Sequence, residues 1–130
     1  MIVGTGIDIV EVYRMRDAIY KWGSNFLTKV FTPKEIEYSS SKRFAPQHFA
    51  ARFAAKEAVV KAFGVAKKNP LNWTDIEVFN DPEGKPVISF SNGALKLKKQ
   101  KNVDDVVVSM SHSKNYAVAN VILLRKAKKA

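Results

Sequence analysis

Residues Pro46 to Gly64 read PQHFAARFAAKEAVVKAFG, and the rest of the chain is organised around this stretch. Proline opens it, at the helical position where a missing N–H costs nothing. Alanine, the strongest helix former, recurs through the middle, and Gly64 supplies the usual stop. A helix from Pro46 to Phe63 is therefore predicted. Glu57 and Lys61, four apart, project from one face that also holds Phe49 and Phe53.

On the N-terminal side, Ser39 to Arg43 is a polar connection. Before it, Thr32-Pro33-Lys34-Glu35 combines an N-cap threonine, a proline at N1 and a glutamate at N3, so a short helix should run to about Tyr38. From Val10 to Trp22, Val12, Met15, Ile19 and Trp22 recur at helical spacing among Arg14, Arg16 and Lys21, and Gly23 ends the pattern. Ile2 to Ile9 reads as a strand with Gly4, Gly6 and Asp8 on one face, leaving open space beside the carboxylate.

Toward the C-terminus, Lys67 to Asn72 is a loop. Ile76 to Phe79 and Pro86 to Phe90 form a hairpin across the turn formers Asn80 to Lys85. Asn92 caps a basic helix ending near Lys101. Val103 to Ser111 and Tyr116 to Leu124 then make a second strand pair around Ser113-Lys114-Asn115. The order of elements implies an α+β fold, one domain over residues 1–130, with helices packed on a largely antiparallel sheet.

The 130 residues are 46% hydrophobic, enough for one core, and carry a formal charge of +10. A field of that sign gathers anionic partners: nucleic acid, a phosphate-rich nucleotide or an acidic protein. Part of the excess lies in Arg125 to Lys129, which reads as a solvated end. There is no cysteine, which excludes disulfides and thiolate metal sites. With no apolar run long enough for a membrane span or a cleavable signal, a cytoplasmic protein without a membrane partner is expected.

Three places can carry chemistry. Arg52, Lys56, Glu57 and Lys61 lie close together on the central helix, where charges beside aromatics are costly to bury unless partnered. Glu57 and Lys61 could equally be a surface pair contributing about 0.3–0.5 kcal/mol. Asp8, between Ile7 and Ile9 in a strand, calls for compensation: a helix cap, an arginine or a cation. Magnesium takes one or two carboxylates with phosphates and water, so Asp8 and Glu57 could form half of such a site. His112, at a strand end, is either structural or a phosphate contact. His48 has no companion motif and reads as scaffold.

Five runs acquire meaning together: Gly6-Ile7-Asp8-Ile9-Val10-Glu11; Arg52 to Ala58 with Lys61-Ala62-Phe63-Gly64; Trp73 to Val78; Gly84-Lys85-Pro86; and Ser109-Met110-Ser111-His112-Ser113. In this order and spacing the chain closely resembles the holo-acyl-carrier-protein synthase family, over nearly its whole length.

That resemblance implies the 4′-phosphopantetheinyl transferase fold and the transfer of the phosphopantetheine arm of coenzyme A to a serine of apo-acyl carrier protein. Adenosine 3′,5′-bisphosphate is released, and the reaction serves fatty acid biosynthesis. It further implies Mg²⁺ held by Asp8 and Glu57, with Glu57 as the base, directly or through water, and Lys61 stabilising or protonating the departing phosphate. Lys42, Arg43, Arg52, Lys61 and His112 would contact coenzyme A. Arg14, Arg16 and Lys21 would give the first helix a basic face for the acidic carrier protein. The family likeness also implies a homotrimer with active sites between subunits. One departure is Val65-Ala66-Lys67, where the family usually continues with small residues, which bears on the loop's contact with coenzyme A.

Two other readings compete. Lys96, Lys98, Lys99 and Lys101 with the overall charge suit a small nucleic-acid-binding domain, although the aromatics fall on apolar ridges and Asp8 and Glu57 gain no role. An inactive relative that keeps the fold is the other, weakened by the intact charged positions.

Overall fold

The computed structural model describes residues 1–65 and 71–127. In chain order it contains β1 (Ile2–Glu11), α1 (Val12–Trp22), α2 (Ser24–Val30), α3 (Pro33–Ser40), α4 (Ala45–Phe63) and a 3-10 turn (Trp73–Asp75). Then follow β2 (Ile76–Asn80), β3 (Pro86–Phe90), α5 (Asn92–Gln100), β4 (Asp105–His112) and β5 (Tyr116–Leu124). The strands form a three-stranded sheet in the order β1-β5-β4 and a separate β2-β3 hairpin. Every pairing is antiparallel. The α+β architecture of helices on antiparallel sheet is thus the one expected.

The central helix α4 is apolar almost all round, the pattern of a helix buried on every side. It lies against β1, β5 and β4 and ends at Gly64, whose φ of +67° suits glycine. Its approach to β1 depends on two glycines. A Cβ on Gly4 would lie 2.1 Å from the Ala62 carbonyl oxygen, and one on Gly6 would lie 2.0 Å from that of Ala58. The space expected beside Asp8 is therefore not open at Gly4 and Gly6: the α4 backbone fills it.

Buried charge ties the helices to the hairpin. The Lys56 ammonium, fully buried, donates to Glu35 Oε1 at 2.7 Å and to the carbonyl oxygens of Val30, Trp73 and Ile76 at 2.7–2.9 Å. Glu35 completes the expected capping box with Thr32, and its second oxygen accepts from the Val78 amide at 2.9 Å. Burial lowers the Lys56 ammonium below its ordinary pKa, and the Glu35 charge and hydrogen bond oppose that shift. A glutamate legible only as a helix start thus also neutralises a buried cation.

Several local expectations need correction. α1 starts at Val12 rather than Val10, because β1 stays paired with β5 as far as Glu11, opposite Tyr116. α2 was not expected: it has seven residues and no side-chain cap, so the chain carries no start signal there. Asn92, with φ +48°, is the first residue of α5 rather than its cap; its side-chain amide Nδ2 donates to Asp75 Oδ1 at 3.1 Å. The fourth strand begins at Asp105 rather than Val103. At the C-terminus Arg125 is no free end, since its guanidinium donates to the carbonyls of Lys101 and Asn102. The expected loop falls partly, and the Ala66-Lys67 departure and residues 128–130 of the tail wholly, outside the described residues.

Candidate active site

Two i, i+4 rows run side by side along α4 and lead to two different places. The row Phe49, Phe53, Glu57, Lys61 starts in the core with buried Phe49 and emerges to exposed Lys61. Strand alternation puts Asp8 on the same side of β1 as Gly4 and Gly6, facing this helix. Lys61 Nζ donates to Asp8 Oδ1 at 2.9 Å and to the Ile7 carbonyl at 3.1 Å. Asp8 and Glu57 line one cleft of about 500 Å³, together with Glu11, Arg14, Phe53 and Tyr116.

This arrangement removes two of the alternatives open for Asp8. It does not cap α1, whose N-cap is Glu11 without a side-chain bond, and its cation is a lysine, not an arginine. Nor are Glu57 and Lys61 an isolated surface pair. The Lys61 ammonium is held above its ordinary pKa, first by the hydrogen bond to Asp8, then by the Asp8 charge, with a smaller contribution from Glu57. Among the described residues no group of three or more His, Cys, Asp or Glu side chains could enclose a metal ion. Two carboxylates on one open cleft nevertheless match the sparse protein ligation of Mg²⁺, which leaves positions for phosphate and water.

The second row, His48, Arg52, Lys56, turns to the other side of α4. Arg52 is only 3% exposed; its Nη2 donates to Asn80 Oδ1 at 2.8 Å and its guanidinium lies 4.1 Å from the Tyr38 ring centroid. Burial lowers its pKa, against the effect of Tyr38. Arg52, His48, Tyr38, Asn80 and His112 line a small cleft of about 200 Å³. His112 also borders a wider groove of about 710 Å³ with Arg16, Arg43 and Lys114. Lys42 stacks on the Tyr38 ring at 4.5 Å.

The candidate coenzyme A residues Lys42, Arg43, Arg52 and His112 therefore gather on one side, while Asp8, Glu57 and Lys61 gather on another. The helix α1 divides likewise: Arg14 lines the carboxylate cleft and Arg16 the wider groove, with Lys21 in the last turn. Arg14 and Arg16 border different clefts because residues two apart on a helix point in different directions. His48, read as scaffold, belongs to the small cleft. Its position one turn before Arg52 was the signal available in the sequence.

Known proteins resemble this chain over most of its length. A family model described as the 4′-phosphopantetheinyl transferase superfamily matches residues 4–121. The holo-[acyl-carrier-protein] synthase of Syntrophus aciditrophicus is 45% identical over 123 residues, covering 95% of this chain and 96% of that protein. The Koribacter versatilis enzyme of the same name is 46% identical, covering 95% and 98%. Among solved structures, the Neisseria meningitidis holo-[acyl-carrier-protein] synthase superposes with a TM-score of 0.87 at 30% identity, covering 96% of this chain and 100% of that one. The Helicobacter pylori synthase in complex with coenzyme A gives 0.81 at 29% identity, covering 92% and 99%. These matches displace the nucleic-acid-binding alternative. With its fold, its five sequence runs and its relatives in accord, the chain belongs to the holo-[acyl-carrier-protein] synthase family of 4′-phosphopantetheinyl transferases.

Proposed function

We propose that this chain transfers the 4′-phosphopantetheine arm of coenzyme A to a serine of apo-acyl carrier protein, with Asp8, Glu57 and Lys61 at the reacting centre. The observation that carries this is the meeting of Asp8 and Glu57 at one cleft, with Lys61 bonded to Asp8, although Asp8 is some fifty positions from the other two in sequence. Asp8 and Glu57 would hold Mg²⁺, which supplies positive charge to the diphosphate and orients it for in-line displacement. Glu57 accepts the serine proton, directly or through water, as the serine oxygen bonds to the pantetheine-side phosphorus. The bond from that phosphorus to the bridging oxygen breaks, and adenosine 3′,5′-bisphosphate leaves with the electron pair. Lys61, bonded to Asp8, neutralises or protonates the departing phosphate.

Lys42, Arg43, Arg52 and His112 contact coenzyme A on the basic side, and Arg14, Arg16 and Lys21 meet the acidic carrier protein. A homotrimer would bring one subunit's carboxylate cleft to the next subunit's basic side. Its support is the sheet face turned away from α4, which leaves Ile7, Ile9, Val107 and Tyr116 from 40% to 64% exposed. Among the described residues no helix is long and apolar enough to cross a membrane, and a cytoplasmic enzyme of fatty acid synthesis is the setting that fits.

The test is to incubate apo carrier protein, coenzyme A and Mg²⁺ with the protein and follow the mass gain of one phosphopantetheine arm. Asp8→Ala and Glu57→Gln should each lower turnover at least about 100-fold. Near-normal turnover in either variant would overturn its assignment. Light scattering in solution should give three chains per particle; a monomer with full activity would refute the shared site.

A further inference from the structure

His48 has no role in the transfer described above, yet it sits among cations. Its ring lies 5.0 Å from the His112 ring and 6.0 Å from that of Tyr38, whose face carries the Arg52 guanidinium and the Lys42 ammonium. The small cleft is lined by His48 and Arg52 from α4, Tyr38 from α3, His112 from β4 and Asn80, Gly84 and Pro86 from the β2-β3 hairpin. Among the described residues lining it there is no carboxylate. Glu35 reaches Arg52 only by its charge and is bound to Lys56. Arg52 adds a second observation: its Nε is buried and has no hydrogen-bond partner, an orphan donor in a residue 97% buried.

Clustered cations with an unsatisfied donor and no counter-charge are the surroundings that an incoming anion relieves. We propose that His48 grips a phosphate monoester in this cleft alongside Arg52 and His112, as a direct contact rather than as scaffold. This rests on the reading that Arg52 and His112 contact coenzyme A, whose ribose carries such a monoester at its 3′ position. Chemistry supports a proton-linked grip. Burial holds His48 below its ordinary pKa, helped by the charges of His112, Arg52 and Lys42, so these surroundings favour neutral imidazole. A dianion beside the rings reverses that preference, and His48 takes up a proton as the phosphate enters.

The experiment is calorimetric titration of the full-length protein with coenzyme A and with dephospho-coenzyme A, which lacks the 3′-phosphate. It is run at two pH values and in two buffers of different ionisation enthalpy. Wild type should bind coenzyme A more tightly than the dephospho form, with net proton uptake near pH 7.5. His48→Phe, which keeps an aromatic ring against Tyr38 and His112, should keep the wild-type melting temperature. It should weaken coenzyme A about 10-fold at pH 6.5, less at pH 8.5, with smaller proton uptake and little change for dephospho-coenzyme A. In turnover the loss should lie in KM for coenzyme A. If wild type discriminates and His48→Phe discriminates equally, the role of His48 falls while the cleft's assignment stands. Equal weakening of both ligands by His48→Phe would show a merely structural role and also overturn it. If wild type binds both ligands alike and Arg52→Gln changes neither, the assignment of the cleft itself falls, and this proposal with it.

Discussion

Replacing Gly6 by alanine adds a single methyl group, and the structure gives that methyl nowhere to go. The new Cβ would lie 2.0 Å from the Ala58 carbonyl oxygen, 2.8 Å from the Ala62 amide nitrogen and 3.0 Å from the Ala58 carbonyl carbon, all main-chain atoms of α4. An ordinary contact begins at 3.4 Å, so helix and strand must separate by more than an ångström. Neither can yield alone: β1 is paired along β5, and α4 is held at its centre by the Lys56 contacts. Overpacking against rigid backbone costs about 3 kcal/mol, which lowers Tm by about 10 °C in a domain of this size. The same movement pulls Asp8, two residues along the strand, away from Lys61 and Glu57. A misplacement of that size lowers kcat about 100-fold in whatever protein remains folded. Thermal unfolding and the mass-gain assay measure the two effects. Ala58→Gly should not rescue Gly6→Ala, since the collision is with main chain rather than with the alanine methyl. Rescue, or a Gly6→Ala protein with wild-type Tm and turnover, would refute the close approach of β1 to α4 as the device that sets the site.

Further outcomes follow from the same structure. Lys56→Met leaves Glu35 charged and buried without its cation and should cost about 3–5 kcal/mol in urea denaturation; Lys56→Met with Glu35→Gln should recover part of that loss. Lys21→Glu, in the last turn of α1, should raise KM for carrier protein a few-fold (roughly 3–10) and leave that for coenzyme A little changed, whereas Arg14→Glu should raise both, because Arg14 lines the carboxylate cleft. Stability should fall as pH drops below about 6.5, the ordinary histidine value. The unfolded chain holds a proton on His48 that the folded one, with its lowered pKa, gives up, so acid favours unfolding. Denaturation at pH 5.5 and 7.5 should show this difference shrinking in His48→Phe.

Much of this was legible in the chain because the signals were local. The proline and glycine that bracket α4, the capping box at Thr32 and the turn formers between β2 and β3 act over a few residues, and each element lies where those residues put it. Where the local signal was absent or shared, the expectation went astray. α2 has no cap to announce it, and β1 runs on through Val10 and Glu11 because pairing with β5 outweighs their place in an apparent helical pattern. Asn92 looked like a cap because asparagine caps helices, but its partner is Asp75, seventeen positions away.

For the candidate site the division is physical. The sequence by itself determined which side chains stand in which i, i+4 row, since helical geometry settles that without any partner, and its five runs were enough to name the family. It could not tell that the row through Glu57 would meet Asp8 while the row through Arg52 turned to a histidine pair. Those outcomes depend on how far one backbone can approach another. Two glycines on β1 let α4 come close enough for a lysine to reach the aspartate, and that distance exists only once strand and helix have packed.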